Sequence, residues 1–340
     1  TPENIPINPS PWYCFKIWAK VTQQIILKLT YQNGKHRYYP KKSTDGTKWN
    51  LLDSAKIIRI GKGKDRFGPG SQSNAALLYL EIGPDPIWIS AQELESSEQV
   101  FKWVDEIAEK EFVSVEEIGR SREGRPIKCM KIGTGDDSKM MMVISRQHPP
   151  EVTGYLAMKS FIETITSDTK LAKDFRKEYD LYVVPLMNPD GVDNGHWRHN
   201  QGGIDLNRDW ADFNQPETSA VRDFMTRKVN DSNGKFYFGI DFHSTWDDIY
   251  YTIPLDSKSN LEGFTTKWLN GVKSQFINYE PNVRPADSLE PTLVSRNYFF
   301  IEFGAEALVY EVGDNTPRDF LKNKGRVSAE QLMKIVLEEY

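Results

Sequence analysis

Cysteine is nearly absent from this 340-residue chain, which has only Cys14 and Cys129. Two residues outside any Cys-x-x-Cys spacing make neither a disulfide framework nor a cysteine-built metal knuckle. They read as two buried free thiols in different domains. Long apolar runs are missing as well. Segments such as MMMVIS at 140–145 have the length of a buried strand and fall short of a bilayer span. Excess positive charge is also lacking, with 43 Lys and Arg against 48 Asp and Glu and a formal net charge of −5. General nucleic-acid binding needs a basic field, so no nucleic-acid partner is expected. The chain opens on Thr1 and not on methionine. Removal of an export signal explains that, so an exported or periplasmic location is expected ahead of a cytoplasmic one, although trimming has the same effect.

What is present is ordinary globular composition, 39% hydrophobic and 27% charged, at a length that suggests one large or two unequal domains. Residues 1–95 read as a small all-β sandwich acting as an accessory domain. WYCFKIWAKV, QQIILKLTYQ, AKIIRIG, AALLYLEI and PIWISA are short, β-branched and aromatic, and are broken by turn signals such as Asn33-Gly34 and Asp45-Gly46. No chemistry is visible there. At SSEQVFKWVDEIAEK the period changes: Val100, Trp103, Val104 and Ile107 recur at helical spacing behind a capping-box start. From there to Tyr340 apolar strands alternate with amphipathic helices. The second domain, 96–340, is therefore expected to be α/β, with a mixed, largely parallel sheet covered by helices on both faces. His148, Asn188, His243 and Glu311 each follow or end an expected strand, where sites gather in such sheets.

The chemistry starts with His148 and Glu151, three positions apart in HPPE, and with His243 far downstream in GIDFHST. An imidazole and a carboxylate from one turn plus a distant imidazole give three protein ligands and leave a position open. That is the pattern of a catalytic zinc site, one Zn2+ per chain. Alone, HxxE is common by chance and a lone histidine after a strand is usually structural. The joint series changes this: ISRQHPPEVTG, VVPLMNPDGVDNGHWRHNQGGIDLNRDW, GIDFHST and LVYEVGDN follow one another in that order.

The series resembles the zinc metallocarboxypeptidases of the M14, carboxypeptidase A-like family. The resemblance runs from Ser96 to Tyr340 and includes EEIGRSREGRPIKCMKIG, which looks like the family's opening strand pair. With a β-domain in front, the chain looks most similar to the cytosolic-carboxypeptidase-like branch. The resemblance implies His148, Glu151 and His243 as zinc ligands and Glu311 as the glutamate that takes a proton from the attacking water and returns it to the leaving amine. It implies Arg198 as the group stabilising the oxyanion, and Asn207 with Arg208 as the clasp on the substrate's terminal carboxylate. Peptide or protein C-terminal tails are then the substrate.

His196 and His199 match no family ligand and read as pocket-wall residues. Asp241 reads as part of its strand or as a carboxylate orienting the metal-binding imidazole. The family's mobile tyrosine has no counterpart at Leu289; Tyr279 and Tyr298 are the nearest candidates. Alignment on Glu311 brings Arg296 to the base of the side-chain pocket, which implies a preference for C-terminal Glu or Asp because an unpaired buried cation is costly. Two other readings remain open. One is a zinc amidase or γ-D-glutamyl peptidase on cell-wall peptides, or a deacylase of small N-acyl amino acids. The other is a binding protein on an inactive peptidase fold.

Overall fold

The computed structural model describes Glu3 and residues 7–31, 34–61, 74–290 and 292–340; the Asn33 half of the Asn33-Gly34 turn signal lies outside the described residues. The chain forms two compact units, residues 1–95 and 96–340.

In the first unit, β1 (Cys14–Ile17), β7 (Ile87–Ser90), β3 (Lys41–Ser43) and β4 (Asn50–Leu51) form one sheet in that order, and β2 (Gln23–Thr30), β6 (Ala75–Ile82) and β5 (Ile57–Ile60) form another. Strict alternation in β2 turns Ile25, Leu27 and Leu29 toward Leu78, Leu80 and Ile82 of β6 and Ile87 and Ile89 of β7, so both sheets contribute to one apolar core.

The second unit starts with helix α1 (Ser97–Ala108), closed by a complete capping box between Ser96 and Gln99. Its sheet has eight strands in the order β14 (Val283–Pro285), β13 (Ile249–Thr252), β15 (Glu306–Gly313), β12 (Lys235–Thr245), β10 (Lys139–Ser145), β11 (Asp180–Val184), β9 (Pro126–Ile132) and β8 (Val113–Arg120). The inner four, β15, β12, β10 and β11, are mutually parallel, whereas β8, β9 and β13 join antiparallel. Parallel strands need helical crossovers on both faces, and the apolar runs supply them with two cores. Met141, Val143, Phe242, Leu308 and Tyr310 point to one face, against α2 (Val152–Ile165), α3 (Lys170–Glu178), α6 (Phe264–Ser274) and α8 (Arg318–Glu339). Met140, Met142, Ile144 and Ala307 point to the other, against α5 (Pro216–Ser232) and α7 (Ser295–Phe303). The short α4 (Pro189–Asp193) follows β11.

The architecture is thus the expected mixed α/β sheet. The order of strand addition reverses at β10, whose neighbours are β11 on one side and β12 on the other, and in such sheets sites gather beyond the carboxyl ends of the strands at that point. Among the described residues no helix is long and apolar enough to cross a membrane.

Candidate metal centre

β10 ends at Ser145, and Arg146 adopts φ +58°, a left-handed conformation uncommon for a non-glycine residue. This bend turns the chain out of the sheet and into the His148–Glu151 turn. Its guanidinium is buried, with Nη2 donating to the Pro149 carbonyl at 2.7 Å, which fixes the turn from beneath. Glu151 then occupies the N-cap position of α2, but its side chain makes no cap bond and points at the histidines instead.

Helix α2 starts directly on β12. Gly154 N and Thr153 Oγ1 both donate to Ser244 Oγ at 2.8 Å. A Cβ on Gly154 would come 2.3 Å from the His243 carbonyl oxygen, so only glycine lets helix and strand approach this closely. That contact brings Glu151 to His243. His148 Nδ1 lies 2.9 Å from Glu151 Oε1, and His243 Nδ1 lies 2.7 Å from Glu151 Oε2. The three residues offer donor atoms all within 4.8 Å of one another.

These donors suit a zinc ion. Glu151 Oε2 and His243 Nδ1 are buried, adjacent, and without a hydrogen bond of acceptable geometry, as expected of atoms aimed at a shared cation. Each histidine also presents Nδ1 to the centre while a carboxylate takes its far nitrogen. His148 Nε2 meets Asp205 Oδ1 at 2.8 Å, and His243 Nε2 meets Asp241 Oδ2 at 2.8 Å. Such carboxylate–imidazole pairs fix the tautomer and raise the basicity of a ligand. Asp205 and Asp241 are accordingly expected to matter to metal binding. Asp205→Asn or Asp241→Asn should weaken zinc about 10- to 100-fold in a competition titration against a chromogenic chelator.

Electrostatics sets a pH dependence. Burial works to lower the His148 pKa, but Glu151 and Asp205 outweigh it and hold it above the usual imidazole value. For His243, burial is likewise outweighed, by Asp241 and Glu151, and its pKa is held well above that value. Burial would raise Glu151, yet the two imidazoles bring it well below the ordinary carboxylate range. The metal-free site therefore keeps its protons on histidine to a higher pH than free imidazole does, and those protons must leave when metal binds. Zinc affinity is expected to rise with pH through the neutral and mildly alkaline range, by about tenfold per pH unit for each proton displaced, and to level off above the raised histidine values. Isothermal titrations in buffers of different ionisation enthalpy would count those protons.

Glu311 lies in β15 directly opposite His243 of the parallel strand β12. In-register parallel residues share a face, and neighbouring strands are about 4.8 Å apart, so Glu311 and His243 are neighbours on one face of the sheet. The alternation of core residues turns both toward α7 and away from α8.

The segment 198–208 wraps the other side. Arg198 grips Asp205 Oδ2 with Nε and Nη2, each at 2.7 Å. Asn207 N donates to Asp205 Oδ1 at 3.0 Å, and Asn207 Oδ1 accepts from Ser295 N at 3.2 Å. Burial would raise the Asp205 pKa, but His148 and Arg198 keep it ionised far below the normal range. Arg208 is exposed, with Nη1 on the Asn207 carbonyl at 2.6 Å. Arg296, second residue of α7, is partly buried. Burial lowers its pKa, Nε donates to Asn297 Oδ1 at 3.2 Å, its guanidinium lies 5.8 Å from the Tyr251 ring centre, and no carboxylate pairs with it among the described residues.

His196 and His199 stay outside the three-donor cluster; His196 Nδ1 bonds to the His199 carbonyl at 3.1 Å. Tyr279 is tied to Tyr250 by a 3.0 Å hydroxyl contact, and Tyr298 is buried against Trp210 and Phe213. Sequence reasoning missed Asp205, Gln147 and Ser295. Asp205 has a signal, two positions before Asn207 in DLNR. Gln147 and Ser295 have none, because only tertiary contact brings them to Asp241.

A mixed sheet thus carries at its carboxyl edge a His–Glu–His donor set that could hold a metal ion. The chain belongs to the zinc carboxypeptidase family, whose profile matches residues 100–331. It is 29% identical over 226 residues to an uncharacterized protein of Zymomonas mobilis, covering 64% of this chain and 55% of that one. It is 27% identical over 218 residues to cytosolic carboxypeptidase 6 of Caenorhabditis elegans, covering 62% of this chain and 43% of that one. The chain thus spans about half the length of the curated relatives it matches. In fold it is similar to a metallo-carboxypeptidase from Burkholderia cenocepacia (TM-score 0.75, 19% identity, 96% of this chain and 88% of that one). A metallo-carboxypeptidase from Pseudomonas aeruginosa is also similar (TM-score 0.73, 21% identity, 96% and 90%).

Proposed function

We propose that this protein is a zinc-dependent metallocarboxypeptidase that removes residues from the C-terminal ends of peptides or proteins and prefers acidic ends. The observation that supports the reading is the clustering of the His148, Glu151 and His243 donor atoms, with Glu311 paired in register with His243 across β12 and β15.

His148, Glu151 and His243 would hold the ion, which when bound supplies Lewis acidity at the scissile carbonyl and lowers the pKa of the attacking water. The remaining work falls to side chains. Arg208, with its exposed fork beside Asn207, takes the substrate's terminal carboxylate and so limits cleavage to chain ends. Arg198, held by Asp205, offers positive charge to the oxyanion. Glu311 removes a proton from water and delivers it to the departing amine. Arg296 accepts an acidic side chain, which would give its partly buried guanidinium the carboxylate partner it lacks among the described residues. The exposed Arg208 beside Asn207 favours a substrate with a free carboxylate over the amidase and deacylase readings.

The test is hydrolysis of matched peptides ending in Glu, Lys and Phe, with and without a chelator. Chelator-sensitive release of single C-terminal residues, fastest from the Glu peptide, is the expected result. Equal or faster cleavage of the Phe peptide would remove the acidic preference. Internal cleavage, or none after zinc loading, would remove the carboxypeptidase reading itself.

A further inference from the structure

Asp241 is fully buried, and its Oδ2 accepts three contacts: from His243 Nε2 at 2.8 Å, Gln147 Nε2 at 2.5 Å and Ser295 Oγ at 2.5 Å. Ser295 is the first residue of α7 and is itself fully buried, and its backbone N–H is taken by Asn207 Oδ1 at 3.2 Å. One serine is therefore pinned twice. Its hydroxyl is fixed to the carboxylate behind a metal-ligating imidazole, and its amide to the residue beside the terminal-carboxylate arginine. No side-chain cap closes α7; these two bonds tie its first residue to the site, alongside Trp210 N on the Leu293 carbonyl at 3.4 Å and Asn297 Nδ2 on the Leu289 carbonyl at 2.8 Å. The next residue is Arg296.

From this arrangement we infer that Ser295 is a positioning residue for specificity: it sets the spacing between the Asn207–Arg208 clasp and the Arg296 pocket. A substrate's last residue must place its α-carboxylate and its side chain in both sites at once. The distance between the sites then decides whether an acidic side chain reaches Arg296. A hydroxyl bonded to a buried carboxylate is a strong link because the acceptor is charged and water is excluded. Gln147, whose Oε1 accepts from Trp210 Nε1 at 2.9 Å, also donates to Asp241, so loss of the Ser295 hydroxyl leaves the aspartate anchored and His243 in place. The inference rests on the carboxypeptidase reading with Arg296 as the pocket residue.

The experiment compares wild type, Ser295→Ala, Ser295→Thr and Arg296→Ala on peptides ending in Glu and in Phe. Zinc content and thermal midpoint are recorded for each. For Ser295→Ala, the Glu-over-Phe ratio of kcat/KM should fall about tenfold, mainly through a higher KM for the Glu peptide, with zinc content unchanged. Ser295→Thr, which keeps the hydroxyl, should recover most of the ratio. An equal loss on both peptides, or an unchanged ratio in Ser295→Ala while Arg296→Ala abolishes the preference, overturns the positioning role alone. An unchanged ratio in Arg296→Ala overturns the pocket reading and the positioning role with it.

Discussion

Glu311→Gln is expected to lower kcat by about 10²- to 10⁴-fold while zinc content stays at the wild-type level. The amide is nearly isosteric, so β15 should keep its register with β12 and leave His243 undisturbed. What it cannot do is accept a proton. On the proposed role of the carboxylate in the chemical step, the loss should lie in kcat with little change in KM. Parallel measurement of turnover and of metal by atomic emission checks this. A variant that kept near-normal rates would show that the base is another group. A variant that lost its zinc would show that Glu311 supports the metal instead.

Gly154→Ala should be nearly as damaging, although residue 154 carries no chemistry. Its added methyl meets the His243 carbonyl at 2.3 Å, and backbone cannot yield as a flexible side chain can. Either α2 moves off β12, carrying Glu151, or β12 moves and carries His243. A misplacement of about 1 Å at such a centre costs on the order of 10²-fold in rate. Zinc affinity should fall alongside, and the thermal midpoint with it, because overpacking at a helix–strand contact destabilises by about 1–3 kcal/mol. Differential scanning fluorimetry with and without zinc, next to steady-state rates, separates the two losses. Wild-type affinity and rate in this variant would mean that the junction is softer than its geometry indicates.

Much of this was legible in residue order. Unbroken apolar runs such as KMMMVIS and DLYVV announce strands buried on both faces, and those strands force the layered α/β arrangement. HPPE and GIDFHST name the donor set because ligand chemistry demands those residue types, and both lie at strand ends. Other elements were hidden. SRNYFFIEF carries adjacent aromatics where an amphipathic helix would carry a stripe, yet it forms α7. Its Phe299 packs where a Cβ on Gly239 of β12 would come 2.4 Å from the ring. The last helix starts at Arg318, a boundary that residue order hides because its first turns carry little apolar patterning.

Taken alone, residue order determined the fold class and named the three residues whose donor atoms cluster, since each depends on local pattern or on side-chain chemistry. Tertiary structure decided the rest: that Asp205 stands behind His148, that Gly154 seats a helix on a strand, and that Ser295 bonds both Asp241 and Asn207. Those relations link residues far apart in the chain, and a hydrogen bond depends on distances that only the packed sheet and its helices set.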